Sequence, residues 1–307
     1  MSGLLVGADA VLVCDPDETT LGASAVLIED GVIAAIGELD GMRATHSDLQ
    51  VLDGAGCVLL PGWINTHTHL AMNIFRGLTD DVTLEVFLQR SVAAEVDPLT
   101  PELVATGVRA ALAECLLGGT TGALDMYFFH ESAAAHIAHC PASNLKLACG
   151  IAPVARMLEE GVDVACGTDG AASAGALDML QSVRLAALLA KGQTQSPTAI
   201  PAYRAIRMAT ADAARALGWE AVGQIAVGMR ADLQLIDLGS AATAPWHDPA
   251  ARVVYSAGAY DVRHVIVDGA VVVRDRELRT IDVTAALADL QVAADQAAAV
   301  VARLAAS

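Results

Sequence analysis

The sequence has little positive charge. Lys and Arg total 18 residues against 36 Asp and Glu, and the net charge at pH 7 is −18. A chain this acidic has no electrostatic footprint for a nucleic-acid backbone, and an anionic membrane surface repels it. Nucleic acids and membranes are therefore excluded as partners.

The sequence also lacks paired cysteines of the CxxC type. Its six cysteines are scattered along the chain, at Cys14, Cys57, Cys115, Cys140, Cys149 and Cys166. No basic residues followed by an apolar segment mark the N-terminal region as a secretion signal, because Asp9 and Asp15 come too early. We therefore expect reduced thiols and a cytoplasmic location.

Long hydrophobic runs without a charge are few. The longest stretch free of Asp, Glu, Lys and Arg spans residues 54–75, and it contains Pro61, Asn65 and two histidines. A bilayer helix would hold such residues only for a functional reason. With 54% hydrophobic and 18% charged residues over 307 positions, the chain can bury a sizeable core, which excludes wholesale disorder.

Strand-like segments of similar character bracket the chain. Asp30-Gly31 and Asp268-Gly269 each predict a tight hairpin turn between two of these segments. Neither end can bury a core alone, so we expect residues 1–60 and 223–282 to form one small β-domain. The predicted strands cover residues 4–14, 24–29, 32–37, 231–238, 262–267 and 270–274, and residues 49–60 predict a further strand pair.

The middle of the chain, residues 61–222, alternates short apolar strands with Ala- and Leu-rich helical stretches, as in a parallel sheet or barrel. Thr100 and Pro101 predict the start of a helix that continues to Leu117. A second helix is predicted over 200–217. Residues 283–307 predict an amphipathic helix for packing or oligomer contacts.

Two histidines end one of these strands. Side chains alternate along a strand, so His67 and His69 point the same way at its carboxyl end, where barrel enzymes keep their sites and one metal ion could bind both imidazoles. Asp169 follows the apolar strand 162–165, and its carboxylate complements two imidazoles around Zn²⁺ or Fe²⁺. The alternative for Asp169 is a turn residue that caps the next helix.

Six segments carry a resemblance to the amidohydrolase superfamily, in the branch of S-adenosylhomocysteine/methylthioadenosine deaminases and triazine hydrolases. They are spread over nearly the whole chain: PGWINTHTHLAMNIFRGLTDD (61–81), GGTTGALDMYFF (118–129), HCPASNLKLACGIAPV (139–154), GTDGAAS (167–173), RLAALLAK (184–191) and GMRADLQLID (228–237).

The resemblance implies an α/β fold, a (β/α)₈ TIM barrel with a small β-sandwich domain. It also implies one divalent metal, Zn²⁺ with Fe²⁺ as the alternative, bound by His67, His69 and Asp169. Asp169 would be the catalytic residue that shuttles a proton from a metal-activated water as this attacks C6 of an adenine-like ring. The substrate would be a purine nucleoside or heteroaromatic amine, in a homo-oligomeric enzyme.

Two further residues match substrate-side positions of the resembling family. Glu95 matches a position that meets ribose hydroxyls, and the alternative is a solvated acid on a helix. Asn144 lies in the loop after a barrel strand, where it either contacts the substrate or holds the rim of the pocket.

The sequence departs from the resembling family in one region. The third metal histidine, a catalytic glutamate and a further histidine belong between segments 118–129 and 139–154, where this chain has only the nine residues 130–138. The barrel portion has roughly 160 residues instead of about 250. We therefore expect an incomplete barrel of four βα units, family strands one, two, seven and eight. His130, Glu131, His136 and His139 at the junction do not form an HExxH motif, and we do not expect them to replace the absent ligands.

Three functions fit these features. The first is deamination of S-adenosylhomocysteine or methylthioadenosine. The second is deamination of 8-oxoguanine or guanine, or triazine dechlorination, which differ in pocket residues that this chain lacks. The third, of another class, is a non-catalytic half-barrel that is stable only as an oligomer, because four βα units leave two open sheet edges.

Overall fold

The computed structural model describes residues 3–96, 100–126 and 137–305, with the side chains of 92–96, 300, 304 and 305 outside the description. The fold is mixed α/β. The strands in chain order are Leu4–Leu12 (β1), Thr20–Leu21 (β2), Ser24–Glu29 (β3), Val32–Glu38 (β4), Gln50–Pro61 (β5), Trp63–Thr68 (β6), Thr120–Asp125 (β7), Ile137–His139 (β8), Val164–Cys166 (β9), Leu233–Asp237 (β10), Val262–Val267 (β11), Ala270–Arg274 (β12) and Glu277–Leu278 (β13).

Helices separate many of these strands along the chain and follow the last of them. They are Leu39–Thr45 (α1), Leu84–Val96 (α2), Pro101–Leu117 (α3), Pro141–Lys146 (α4), Val154–Glu159 (α5), Ala171–Ala174 (α6), Met179–Thr194 (α7), Ala202–Arg207 (α8), Ala211–Leu217 (α9), Pro249–Tyr255 (α10) and Val283–Ala305 (α11), with 3₁₀ helices at Leu70–Phe75 and Ala259–Asp261.

Strands from the two ends of the chain lie in one nine-stranded sheet. Its order is β13-β12-β11-β10-β5-β1-β3-β4, with β2 paired to β1. The prediction of a strand pair over 49–60 is wrong, because β5 is a single strand through this segment. Its antiparallel pairing with β10 joins the two ends of the chain. Both predicted hairpin turns are confirmed, since Asp30 and Gly31 have φ of 49° and 79°, and Asp268 and Gly269 have φ of 52° and 77°. These left-handed values at both central residues match the twist of a tight hairpin.

The described part of the middle region contains four short strands in two parallel pairs. β6 pairs with β7, and β8 pairs with β9. Side chains join the two pairs: the Thr66 hydroxyl in β6 donates to the carbonyl of Cys166 in β9 at 2.9 Å. The carboxyl ends of β6 and β9 therefore lie together, which positions the polar residues that follow them.

The predicted helix over 100–117 is confirmed. Thr100 is its N-cap, and its hydroxyl accepts from the Leu103 amide. The prediction of one helix over 200–217 is wrong: α8 ends at Arg207 and α9 begins at Ala211. The reason is a pair of tertiary hydrogen bonds, because the carbonyls of Met208 and Ala209 accept from the amides of Cys166 and Ile64. Those amides belong to β9 and β6, so the broken helix supports both strands.

The helix α11 follows the predicted amphipathic pattern. Ala293 and Ala297 are buried beside Met72, Phe75 and Phe87, so one face packs against the rest of the fold. Within the described residues, Val283–Arg303 is also the stretch that is long and apolar enough to cross a membrane by length and composition alone.

Candidate metal centre

β6 and the segment after β9 bring the three predicted ligands together. His67 is the penultimate residue of β6, and His69 follows its end. The amides of Thr168 and Asp169 both donate to the carbonyl of His67, at 3.2 and 2.9 Å. The chain can approach this closely because of Gly167, where a Cβ would lie 2.9 Å from the His67 nitrogen.

The ligand atoms of these side chains face a common point. Nε2 of His67 and Nε2 of His69 lie 3.5 and 3.3 Å from Oδ1 of Asp169, and all three ligand atoms lie within 4.8 Å of one another. Bonds of about 2.0–2.1 Å to a tetrahedral zinc ion place two ligands roughly 3.3 Å apart. The separations from Asp169 therefore fit a divalent metal between these residues.

Met126 fixes the orientation of the two imidazoles. Nδ1 of His69 lies 2.5 Å from the Met126 carbonyl, and Nδ1 of His67 lies 3.1 Å from the Met126 sulfur. Because a carbonyl can only accept, the proton of neutral His69 sits on Nδ1 and its Nε2 lone pair faces the Asp169 carboxylate. Two acceptors that face each other need a proton or a cation between them.

The electrostatics of the site follow from the same contacts. Burial alone lowers the pKa of His69, but the Asp169 carboxylate and the Met126 carbonyl outweigh it and raise that pKa. Burial alone raises the pKa of Asp169, but the adjacent imidazoles of His67 and His69 and the hydrogen bonds from Ser143 and Ser173 hold that pKa well below its usual range. The carboxylate is thus charged at neutral pH, as a metal ligand must be.

The two oxygens of the Asp169 carboxylate have different partners. Oδ2 accepts from the hydroxyls of Ser143 at 2.6 Å and Ser173 at 2.7 Å. Oδ1 accepts from the Gly170 amide at 2.8 Å and faces the imidazoles. The backbone of Asp169 adopts a left-handed φ of 65°, which is uncommon outside glycine and concentrated at functional sites.

Asn65, fully buried in β6, braces this arrangement. Its Nδ2 donates to the Thr168 hydroxyl at 2.7 Å, and its Oδ1 accepts from the amides of Thr168 at 3.0 Å and His67 at 3.3 Å. One side chain therefore ties the strand that carries the histidines to the segment that carries Asp169.

No other predicted site residue in the described part of the chain belongs to this cluster. Glu95 is in the last turn of α2, and its side chain is not among those described. Asn144 is half-buried in α4, next to Ser143. His139 is buried, and burial lowers its pKa to about 4. His130, Glu131 and His136 lie outside the described residues.

Sequence reasoning missed Asn65, Met126, Ser143 and Ser173. All four lie inside the segments that carry the family resemblance, which is the one signal that could have marked them. Elsewhere in the described part of the chain, no other group of His, Cys, Asp or Glu side chains has the spacing of a metal site.

Comparison with known proteins identifies relatives that align over most of this chain. The sequence model of the amidohydrolase family matches residues 58–136 and 130–272. A 5-methylthioadenosine/S-adenosylhomocysteine deaminase of Syntrophobacter fumaroxidans is 30% identical over 415 residues, covering 91% of this chain and 95% of the relative. A 5'-deoxyadenosine deaminase of Methanosarcina mazei is 29% identical over 430 residues, covering 96% and 98%.

Solved structures share the fold. An adenosine deaminase from Xanthomonas campestris with bound zinc has a TM-score of 0.87 and 26% identity, covering 96% of this chain and 98% of its own. The zinc complex of an atrazine chlorohydrolase from Arthrobacter aurescens has a TM-score of 0.84 and 19% identity, covering 95% and 100%. The family model, which matches more than half of the chain, and the relative at 30% identity show that the chain belongs to the amidohydrolase family of enzymes.

Proposed function

We propose that this chain is a metal-dependent hydrolase of non-peptide C–N bonds that removes ammonia from the adenine of S-adenosylhomocysteine or methylthioadenosine. The observation that carries the proposal is the convergence of His67, His69 and Asp169 on one point. Its substrate class is supported by relatives that are named deaminases of these nucleosides and of 5'-deoxyadenosine.

His67 and His69 would bind the metal through Nε2, and Asp169 would bind it through Oδ1. Zn²⁺ suits this donor set best, since imidazole nitrogen and carboxylate oxygen are ordinary zinc ligands, and Fe²⁺ is the alternative. When bound, such an ion lowers the pKa of water to near neutrality and so supplies the nucleophile for hydrolysis.

Asp169 is also the proposed proton carrier. Its charged carboxylate faces the point on which the two imidazoles converge, so it would lie beside a water held there. A proton that this carboxylate takes from the attacking water would pass to the departing amine. On the substrate side, Asn144 remains a candidate contact at the rim, and Glu95 remains a candidate for the ribose hydroxyls.

The barrel of this chain is proposed to be incomplete, with four βα units. The family model matches in two pieces that meet at residues 130–136, and the 415-residue alignment is longer than the 307-residue chain, so the relative contains residues without a counterpart here. The proposed layout is a small β-sandwich domain of 1–60 and 223–282, a barrel portion of 61–222 and a helix at 283–307, in a cytoplasmic protein.

An ammonia-release assay tests the proposed function. The zinc-loaded chain is offered methylthioadenosine, S-adenosylhomocysteine, 8-oxoguanine and a chlorotriazine, with chloride release followed for the last, beside the Asp169→Asn variant. We expect ammonia from one of the two thioether nucleosides and none from the variant. Turnover of 8-oxoguanine or the triazine alone would show that the proposed substrate is wrong. No turnover of any of the four compounds by the zinc-loaded chain would refute the proposed hydrolase activity.

A second candidate is a half-barrel that is stable only in an oligomer. Among the described strands, β7 pairs with β6 alone and β8 with β9 alone. Ile137 in β8 is 40% exposed. Two copies that join these edges would cover them. Light scattering after size exclusion, together with thermal denaturation of the same sample, tests this proposal. A monomer that melts cooperatively would contradict it.

A further inference from the structure

We propose that Ser143 and Ser173 are positioning residues that hold Oδ2 of Asp169 so that Oδ1 stays aimed at His67 and His69. The inference rests on the proposed function of the same site. It assigns to the two hydroxyls the task of fixing the rotation of the carboxylate, and neither is a ligand itself.

The two serines reach Asp169 from different elements. Ser143 lies in α4, which follows β8, and Ser173 lies in α6, which follows β9. Both side chains are buried, and both hydroxyls lie within hydrogen-bond distance of the same carboxylate oxygen, at 2.6 and 2.7 Å. Short hydroxyl-to-carboxylate hydrogen bonds are among the stronger ones in proteins. A carboxylate held from two sides cannot rotate without breaking one of them.

The contacts of each serine favour this role over a local structural one. The Ser143 hydroxyl has no second hydrogen bond to another described residue, so its bond to Asp169 is the one that satisfies this buried hydroxyl. The Ser173 hydroxyl oxygen also lies 3.0 Å from the carbonyl oxygen of Gly170. A hydroxyl has one proton, and the charged carboxylate at 2.7 Å is the stronger acceptor.

A second contact holds the same two helices together. Nζ of Lys146, at the end of α4, donates to the carbonyl of Ala172 in α6 at 2.8 Å. The hydroxyls of Ser143 and Ser173 are therefore held in place and have little freedom to follow the carboxylate if it rotates. Preorganised partners of this kind set the orientation of metal ligands in proteins.

The experiment compares Ser143→Ala, Ser173→Ala and the double variant with the wild-type chain. Ser182→Ala is the matched control, because Ser182 is equally buried in α7 and its hydroxyl faces the Asp178 carbonyl instead. After removal of metal with a chelator, the Kd for Zn²⁺ is measured by competition with a chromophoric chelator. Circular dichroism shows whether each variant is folded, and kcat and KM are measured on the substrate that the wild type accepts.

We expect each single variant to bind Zn²⁺ about tenfold more weakly and the double variant about 100-fold more weakly, the range found when partners of metal ligands are removed. kcat should fall with KM nearly unchanged, and Ser182→Ala should match the wild type. If the double variant does not fold, the two single variants carry the test.

The outcomes separate this inference from the proposed function. If the wild-type protein binds Zn²⁺ and the Kd values of the serine variants stay within about threefold of the wild-type Kd, the positioning role is overturned and the proposed function stands. Wild-type protein that binds no Zn²⁺ would overturn both.

Discussion

Replacement of Asn65 by Ala should loosen the site and destabilise the fold together. Asn65 makes three side-chain hydrogen bonds, two to Thr168 and one to the His67 amide, and it is fully buried. The change removes all three at once. It leaves the Thr168 hydroxyl and the His67 amide without the partner that Asn65 supplied.

The magnitude follows from those contacts. A buried hydrogen bond contributes about 0.5–1.5 kcal/mol net, and a buried donor left without a partner costs about 1–3 kcal/mol. The Thr168 amide keeps a second acceptor in the His67 carbonyl, 3.2 Å away, so its loss is the smallest of the three. We therefore expect the free energy of unfolding to fall by about 2–4 kcal/mol, and Zn²⁺ to bind more weakly because His67 and Thr168 are no longer tied.

Urea denaturation of the metal-free protein measures this effect, and Asn73→Ala provides the control. Asn73 is also buried, but its Oδ1 has no hydrogen-bond partner among the described residues. Its replacement should therefore cost less than about 1 kcal/mol. Equal losses of stability in the two variants would show that the Asn65 hydrogen bonds are not the source of the effect.

Three further outcomes are expected. Tyr203→Phe should lower the free energy of unfolding by about 1–3 kcal/mol in urea titrations, because the Cys14 amide, which donates to the Tyr203 hydroxyl at 2.9 Å, is left unpaired. Burial lowers the pKa values of His139 and His264 to about 4, so the unfolded chain takes up protons at a higher pH than the folded chain. The free energy of unfolding should therefore fall as the pH is lowered from about 6.5 to 4. His264→Gln should flatten that dependence in urea midpoints, and an unchanged slope would contradict the assignment. A 100-fold excess of Zn²⁺ over its Kd should add about 2.7 kcal/mol and raise Tm by roughly 5 °C in scanning calorimetry, and an unmoved Tm would count against binding.

Local signals predicted much of the fold. Asp30-Gly31 favours a tight turn and Thr100 favours a helix N-cap whatever the rest of the fold. The turn and the helix start therefore lie where the sequence indicates. The common direction of His67 and His69 follows from strand alternation alone.

Long-range hydrogen bonds account for what the sequence could not predict. The helix break after Arg207 depends on the amides of Ile64 and Cys166, which lie far away in the chain. Ser143 lies 26 residues from Asp169, and its role depends on how β8 and β9 pair. No local propensity encodes either contact.

The central claim is that His67, His69 and Asp169 form a metal centre in this chain as it stands. Its most direct test is the zinc content per chain, measured by inductively coupled plasma mass spectrometry after zinc loading and dialysis. We predict close to one zinc ion per wild-type chain, and near-complete loss of zinc in His67→Ala, His69→Ala and Asp169→Ala variants. A wild-type chain without zinc, or variants that keep it, would contradict the account.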